Sequence, residues 1–380
     1  MKIRAAVLRQ MGLPAPYAES RPIQITEVEL DPPCPGEVLV RIHVAGLCHS
    51  DLSVINGDRP RVMPMALGHE SSGEVVALGA GVDDLAPGDH VVSVFVPSCG
   101  HCNPCMAGRP ALCEPGARAN TEGVLLGGGR RLHLGDVALN HHLGVSCFAD
   151  HAVVSRRSLV KMAPGLSHRE AALFGCAVLT GAGAIINRAR LKAGDTVAIV
   201  GLGGVGLSGL LAAVAAGARR IVAVEPDAGK RALAGTLGAT HLIDPKALGS
   251  DAELLEAAGG GVDVGYDAAG NLAAFETAYK LTRRGGQTVT SGLPHPKAAF
   301  ALPISQLVGE EREVRGSYLG SGVPAIDIGR YVDLYQQGRL PVNRLMGEAF
   351  TLDRINEGFD HLASGAGLRD CVVLGDAIDS

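Results

Sequence analysis

The chain has 380 residues, of which 47% are hydrophobic and 19% charged, with 52 glycines, no tryptophan and a net charge of −5. That length holds two domains, each with its own core, and the composition is that of a soluble globular protein. The acidic balance argues against a nucleic-acid partner, which calls for a basic face, and no uncharged apolar run reaches the roughly 18 residues of a membrane span.

The opening segment, MKIRAAVLRQ, lacks the apolar core of a secretion signal. Nine cysteines in such a chain read as metal ligands and free thiols of a reducing compartment, the cytoplasm, rather than as disulfides. From residue 1 to 175 the sequence predicts short strands between Gly and Pro turns, among them 37–44, 73–78 and 88–95, and so an all-β, barrel-like unit. Inside it stand Cys48-His49-Ser50-Asp51, then Gly68-His69-Glu70, then Cys99, Cys102, Cys105 and Cys113 within fifteen residues. Four thiolates complete a tetrahedral Zn²⁺ site and leave no position for substrate, so the last group predicts a structural zinc lobe. Cys34, Cys147 and Cys371, flanked by apolar residues or Pro, read as buried structural thiols.

After Cys176 the pattern changes to strands at 195–200, 220–225, 241–243, 262–267 and 287–291, alternating with helices at 205–217, from 227, at 251–257 and at 271–282. This alternation predicts a doubly wound parallel sheet. Two helices, 326–337 and 353–364, and an apolar strand at 371–374 end the chain. Gly201-Leu-Gly-Gly-Val-Gly206 joins the first of these strands to the first helix. Gly201 permits the tight turn, Gly203 lets a pyrophosphate approach the backbone, and Gly206 allows the helix to pack on the strand, with Gly204 and Val205 between them. Glu225, 19 residues past the last glycine, is placed to accept the adenosine ribose hydroxyls and to repel a 2′-phosphate, which favours NAD over NADP. Arg231 and Lys230 nearby leave room for NADP, and Lys230 is also placed to contact the ribose.

Cys48, His69 and Cys176 form a second candidate metal set, in which two thiolates and an imidazole leave one tetrahedral position for water or substrate. Together with the lobe, the glycine loop and Arg369, these residues make the chain resemble, over nearly its whole length, the zinc-dependent medium-chain dehydrogenases of the liver alcohol dehydrogenase type. The resemblance implies a GroES-like β-barrel catalytic domain over residues 1–177 and 320–380 and a Rossmann cofactor domain over 178–319. It implies two Zn²⁺ per subunit, with Cys48, His69 and Cys176 holding the catalytic one, Glu70 behind it as an alternate ligand, and Asp51 orienting His69. Ser50 would bind the substrate oxygen and start a proton path. His49 and Arg369 would lie on the cofactor pyrophosphate, and Thr180 and Val205 on the nicotinamide.

By the same resemblance Phe95, Leu143 and Leu293 line the substrate pocket near the metal, with Arg59 and His142 as polar groups at its mouth. The expected reaction is reversible hydride transfer between a primary alcohol or aldehyde and NAD, with polyol oxidation or glutathione-dependent formaldehyde oxidation as alternatives. Formaldehyde oxidisers of that kind carry a basic residue just past the last lobe cysteine, where this chain has Ala117-Arg118. Many relatives end their proton relay on a histidine five residues after the first zinc cysteine; here that place is Ser53. The Gly-rich insertion at 114–145 resembles that of longer family members, and this resemblance implies a homodimer that pairs through edge strands near 300–318. A zinc-independent quinone or enoyl reductase would lack Cys48, His69 and Cys176, and a zinc-finger binding protein would have no use for an open metal position.

Overall fold

Strand Glu37–Gly46 organises the first half of the molecule because its run of Val, Leu and Ile is buried on both faces, as a strand in the middle of a sheet must be. The computed structural model describes residues 1–375, and the chain divides into two units: one of Met1–Cys176, Val323–Arg330 and the chain from Met346, the other of Ala177–Gly322 and Tyr331–Leu345. The return to the first unit is therefore interrupted, where a single block over 320–380 was expected.

In the first unit, strands Lys2–Leu8, Ile23–Leu30, Leu132–Leu134, Val137–His141 and Met65–Ala66 close into a barrel. Beside them Glu37–Gly46 pairs with Ser71–Leu78, His151–Ser155 and the C-terminal strand Arg369–Val373. Cys371 lies opposite Gly46, so the last strand delivers Arg369 to the neighbourhood of Cys48. The core beneath holds Leu8, Val40, Ile55, Leu67, Phe148 and Phe359, with the two phenylalanines edge to face at 6.0 Å. Helix Glu114–Glu122 occupies the start of the segment read as a Gly-rich insertion, and the Cys113 sulfur caps it by accepting Gly116 N–H. Cys34 is exposed rather than buried, while Cys147 and Cys371 are buried as expected.

One buried ion pair ties this sheet to the barrel. Arg131 Nε and Nη2 each donate to a different oxygen of Glu37 at 2.8 Å. Replacing Glu37 by Ala strands a guanidinium in a largely dry site, a change that costs about 3–5 kcal/mol. Chemical denaturation of Glu37→Ala should read a loss of that size, largely recovered in Glu37→Leu with Arg131→Met.

A group of histidines on the same unit makes stability depend on pH. His168 stacks on His43 at 4.1 Å and leans on His90 at 4.6 Å, with Nδ1 2.8 Å from Ser72 Oγ. Burial, then the neighbouring His43 and His90, push its pKa down to about 4 from an ordinary 6.5. Below pH 6.5 the unfolded chain takes up a proton there that the folded chain refuses, so this contribution to stability is present above 6.5 and lost as pH falls toward 4. Thermal melts of His168→Asn should show a shallower decline over that window than wild type.

The second unit is a six-stranded sheet in the order His241–Ile243, Arg220–Val224, Thr196–Val200, Val262–Asp267, Thr282–Thr290, Glu313–Gly316, every pairing parallel. Thr196–Val200 is buried throughout and feeds directly into helix Gly204–Ala215, which packs Leu207, Leu210 and Leu211 inward. Val200 lies level with Val224 on one side and Asp267 on the other. The strand order reverses at that point, where doubly wound sheets open a crevice for a ligand. Among the described residues no single helix is long and apolar enough to cross a membrane.

Candidate functional site

Cys48 precedes helix His49–Ile55, whose first turn carries Ser50 and Asp51. His69 and Glu70 sit immediately before strand Ser71–Leu78. The ligand atoms of Cys48, His69, Glu70 and Cys176 all lie within 4.8 Å of one another, and all four residues are buried. His69 Nε2 is 3.7 Å from Cys176 Sγ, while its Nδ1 is 3.0 Å from Asp51 Oδ2 on the opposite side of the ring. Phe95 packs edge-on against the His69 ring at 5.5 Å.

Such a cluster is costly unless something positive shares it. The Cys48 sulfur alongside, and then burial, push the Cys176 thiol well above its usual range, so the two sulfurs do not both carry charge unaided. Burial raises the Glu70 carboxyl against the pull of Arg369. The Arg369 guanidinium pairs with one Glu70 oxygen, and the other, Oε1, is buried without a partner. Two thiols, an imidazole and an orphaned carboxylate oxygen in one dry spot are the donor set of a tetrahedral divalent cation, and they fit Zn²⁺. Burial alone would lower His69, but Asp51 and Cys48 carry it well above the usual histidine range. Burial likewise opposes charge on Asp51, yet His69 and His142 hold its carboxyl below the usual range.

Gly68 sets the turn that brings His69 inward. Its φ is +96°, and a Cβ there would lie 2.5 Å from Phe148 N and 2.9 Å from the Cys147 sulfur, so this position admits no side chain.

The other expected residues fall in several places. Ser50 is half-buried on the first turn, His49 beside it is exposed, and Arg59 is half-buried. Phe95 and Leu143 are buried in the first unit, whereas Leu293 is 52% exposed on the second. His142 is a correction: it does not stand at a polar mouth but is 1% exposed, with Nδ1 3.0 Å from Asp51 Oδ1. Arg369 is engaged by Glu70 inside the first unit. The Ser53 hydroxyl donates to the His49 carbonyl at 2.7 Å, a bond within its own helix. Sequence reasoning missed both the Arg369–Glu70 pair and the His142–Asp51 contact.

The lobe cysteines Cys99, Cys102, Cys105 and Cys113 also converge within 4.8 Å. Backbone N–H groups aim at their sulfurs: Cys99 N and Gly116 N at Cys113, and Cys102 N at Cys99, at 3.2–3.3 Å. A thiolate accepts such bonds well, so the lobe fits four charged sulfurs around one cation.

In the second unit the loop glycines differ in backbone conformation and in the space around them. Gly201 has φ +90°, and a Cβ there would meet Ala269 at 2.7 Å. A Cβ on Gly206 would lie 1.8 Å from the Gly201 carbonyl, while one on Gly203 would meet nothing within 4 Å. Gly203 thus faces open space at the start of helix Gly204–Ala215, whose first-turn N–H groups have no intrahelical acceptor. That cradle fits a dinucleotide pyrophosphate. Glu225 Oε2 accepts Leu202 N–H at 2.8 Å and Oε1 accepts Asp227 N–H at 3.2 Å, which fixes the carboxylate at the rim of the loop. Thr180, Val205 and Lys230 are half-buried.

Comparison with known proteins gives the same outline. The alcohol dehydrogenase GroES-like domain matches residues 34–164 and the zinc-binding dehydrogenase domain residues 204–336. The chain is 35% identical to the NDMA-dependent alcohol dehydrogenase of Amycolatopsis methanolica, over 98% of this chain and 99% of that one. It is 34% identical to the S-(hydroxymethyl)glutathione dehydrogenase of a Synechocystis strain, over 98% and 100%. The solved benzyl alcohol dehydrogenase of Acinetobacter calcoaceticus superposes with a TM-score of 0.91 at 30% identity, covering 99% of this chain and all of that one.

Proposed function

The chain belongs to the zinc-dependent medium-chain alcohol dehydrogenase family, an oxidoreductase acting on CH–OH groups, and on that footing we propose that it interconverts a primary alcohol and its aldehyde with NAD. The observation that carries this reading is the convergence of Cys48, His69 and Cys176 with a fourth donor, Glu70, held back by Arg369. In it Cys48, His69 and Cys176 hold a catalytic Zn²⁺, Glu70 is the alternate ligand, and the lobe holds a second, structural ion. Bound there, Zn²⁺ supplies Lewis acidity toward a hydroxyl or carbonyl oxygen, and the nicotinamide supplies the hydride acceptor.

The chain's own residues do the rest. Asp51 fixes His69 so that Nε2 faces the sulfurs. Ser50 takes the proton of the substrate hydroxyl and passes it to solvent; Ser53, spent on the His49 carbonyl, cannot extend the path. Gly201, Gly203, Gly204 and Gly206 bind the dinucleotide phosphates, with His49 against the pyrophosphate and Thr180 and Val205 at the nicotinamide. Glu225 selects NAD. Arg231 cannot offset that carboxylate toward NADP, because it donates to the Glu225 carbonyl at 2.6 Å and pairs with Asp244 at 3.3 Å. Like-charge juxtaposition costs several kcal/mol, so kcat/KM should favour NAD by more than about 100-fold, and Glu225→Ser should erode most of that preference.

Phe95 and Leu143 make the floor of the substrate pocket apolar, and with His142 turned to Asp51 the mouth loses one of its expected polar groups. An apolar primary alcohol of the benzyl kind is therefore the favoured substrate. The second reading, a hydroxymethylglutathione adduct, is supported by half-buried Arg59, whose cationic side chain suits that adduct's carboxylates. NADH absorbance with benzyl alcohol, straight-chain alcohols and hydroxymethylglutathione, each with NAD and NADP, separates the readings. Activity on none of them would overturn both. We place the enzyme in the cytoplasm, and we take it to be a homodimer because Glu313–Gly316 ends the second sheet and carries the exposed Val314.

A further inference from the structure

We propose that His142 is a positioning residue for His69, acting through Asp51; the inference rests on the reading of Cys48, His69 and Cys176 as the catalytic metal set. Asp51 is fully buried, and two imidazoles share its carboxylate. His69 Nδ1 lies 3.0 Å from Oδ2 and His142 Nδ1 lies 3.0 Å from Oδ1. The two rings stand perpendicular, 5.5 Å apart. Gly68 N–H also donates to Oδ1, at 3.1 Å. Both imidazole contacts are close approaches off the axis of a straight N–H bond, so the carboxylate is held by its neighbours on both sides rather than by one directed bond. With Oδ1 accepting the Gly68 N–H and packed against His142, the carboxylate is confined, and Oδ2 stays beside His69. That leaves His69 Nε2 fixed toward Cys176.

His142 is itself anchored more firmly than packing requires. Its N–H donates to Ser146 Oγ at 2.9 Å, and that hydroxyl donates to the Ala66 carbonyl at 2.8 Å. The connecting turn keeps two non-glycine residues, Leu143 at φ 52° and Ser146 at φ 56°, in the left-handed region. Backbone of that kind persists where the surroundings over-determine it, as they do around functional sites. An apolar ring at position 142 would fill the same space and leave Oδ1 with Gly68 alone.

Asp51, His69 and His142 also lie close enough to hold a cation of their own. His69 has one nitrogen on each side, however, and the side toward Asp51 is the one that orients the ring for the sulfurs.

The test compares wild type with His142→Phe and His142→Gln in three readouts: metal content, the rate at which a chelator strips the buried site, and the visible spectrum after Co²⁺ exchange into that site. His142→Phe should lose the buried metal about 10–100-fold faster, the range for outer partners of metal-bound histidines, and shift the Co²⁺ bands, with the lobe metal unchanged. His142→Gln, whose amide still offers an N–H to Oδ1, should recover most of the retention. If the Phe variant does not fold, His142→Met against His142→Gln makes the same comparison. A lower melting temperature with both metal readouts at wild-type values would overturn the inference and leave the catalytic reading intact. A third metal per chain that disappears in His142→Phe would also overturn it, in favour of a separate site. Wild type without metal on Cys48, His69 and Cys176 would overturn both.

Discussion

Cys176→Ala should purify with the lobe ion alone and oxidise alcohol at least about 10³-fold more slowly than wild type. Lewis-acid stabilisation is worth several kcal/mol, and each 1.36 kcal/mol is a decade in rate. The remaining donors do not make good the loss: Cys48 and His69 keep one sulfur where the site has two, and Glu70, with one oxygen on Arg369, offers only the harder donor Oε1 in its place. The fold should survive, because deleting one small sulfur leaves a modest cavity at a single buried position. Cys105→Ser gives the opposite pattern. It should lose the lobe ion and melt at a lower temperature, while the buried metal and the turnover per folded chain remain. A Cys176→Ala protein that retained two ions and wild-type turnover would refute the assignment.

The second large effect separates two glycines that look alike in the sequence. Gly203 has φ −73°, which any residue adopts, and open space where a Cβ would go. Gly203→Ala should therefore fold and melt as wild type does, yet its methyl group stands in the phosphate cradle. Hydrogen bonds to charged groups are worth about 1.5–3 kcal/mol, so NADH binding should weaken about 10–100-fold. In Gly206→Ala the new Cβ would sit 1.8 Å from the Gly201 carbonyl. That overlap is with backbone, and it should cost more than about 3 kcal/mol of stability, read as a large fall in denaturant midpoint. Isothermal titration on the first variant and denaturation of both check the contrast; equal behaviour of the two would contradict it.

How much of this was legible in the sequence depended on how far apart the partners lie along the chain. The lobe was legible because its four ligands fall within fifteen residues, and the glycine loop because strand, turn and helix follow one another directly. The parallel order of the second unit followed from the alternation of elements, though its last strand, Glu313–Gly316, is short and polar and carried no pattern of its own. Helix Glu114–Glu122 was hidden by its Pro and Gly, and its cap is a sulfur rather than a hydroxyl or carboxylate. Cys176 and His69 are 107 residues apart, so they were joined by ligand type beside the glycine loop and then by resemblance, not by spacing. Glu70 and Arg369 are 299 apart; only the return of the C-terminal strand beside Glu37–Gly46 brings them together, and nothing local announces that. His141 and His142 are neighbours in the chain. The end of strand Val137–His141 separates them, sending His141 Nε2 to Arg131 N–H and His142 to Asp51.

Anomalous diffraction from crystals at the zinc edge tests the central claim most directly. The account predicts two peaks per chain. One should lie at about 2.3 Å from the sulfurs of Cys48 and Cys176 and about 2.0–2.1 Å from His69 Nε2, and the other at about 2.3 Å from all four lobe sulfurs. A single peak confined to the lobe, with Cys48 and Cys176 bare or joined to each other, would contradict it.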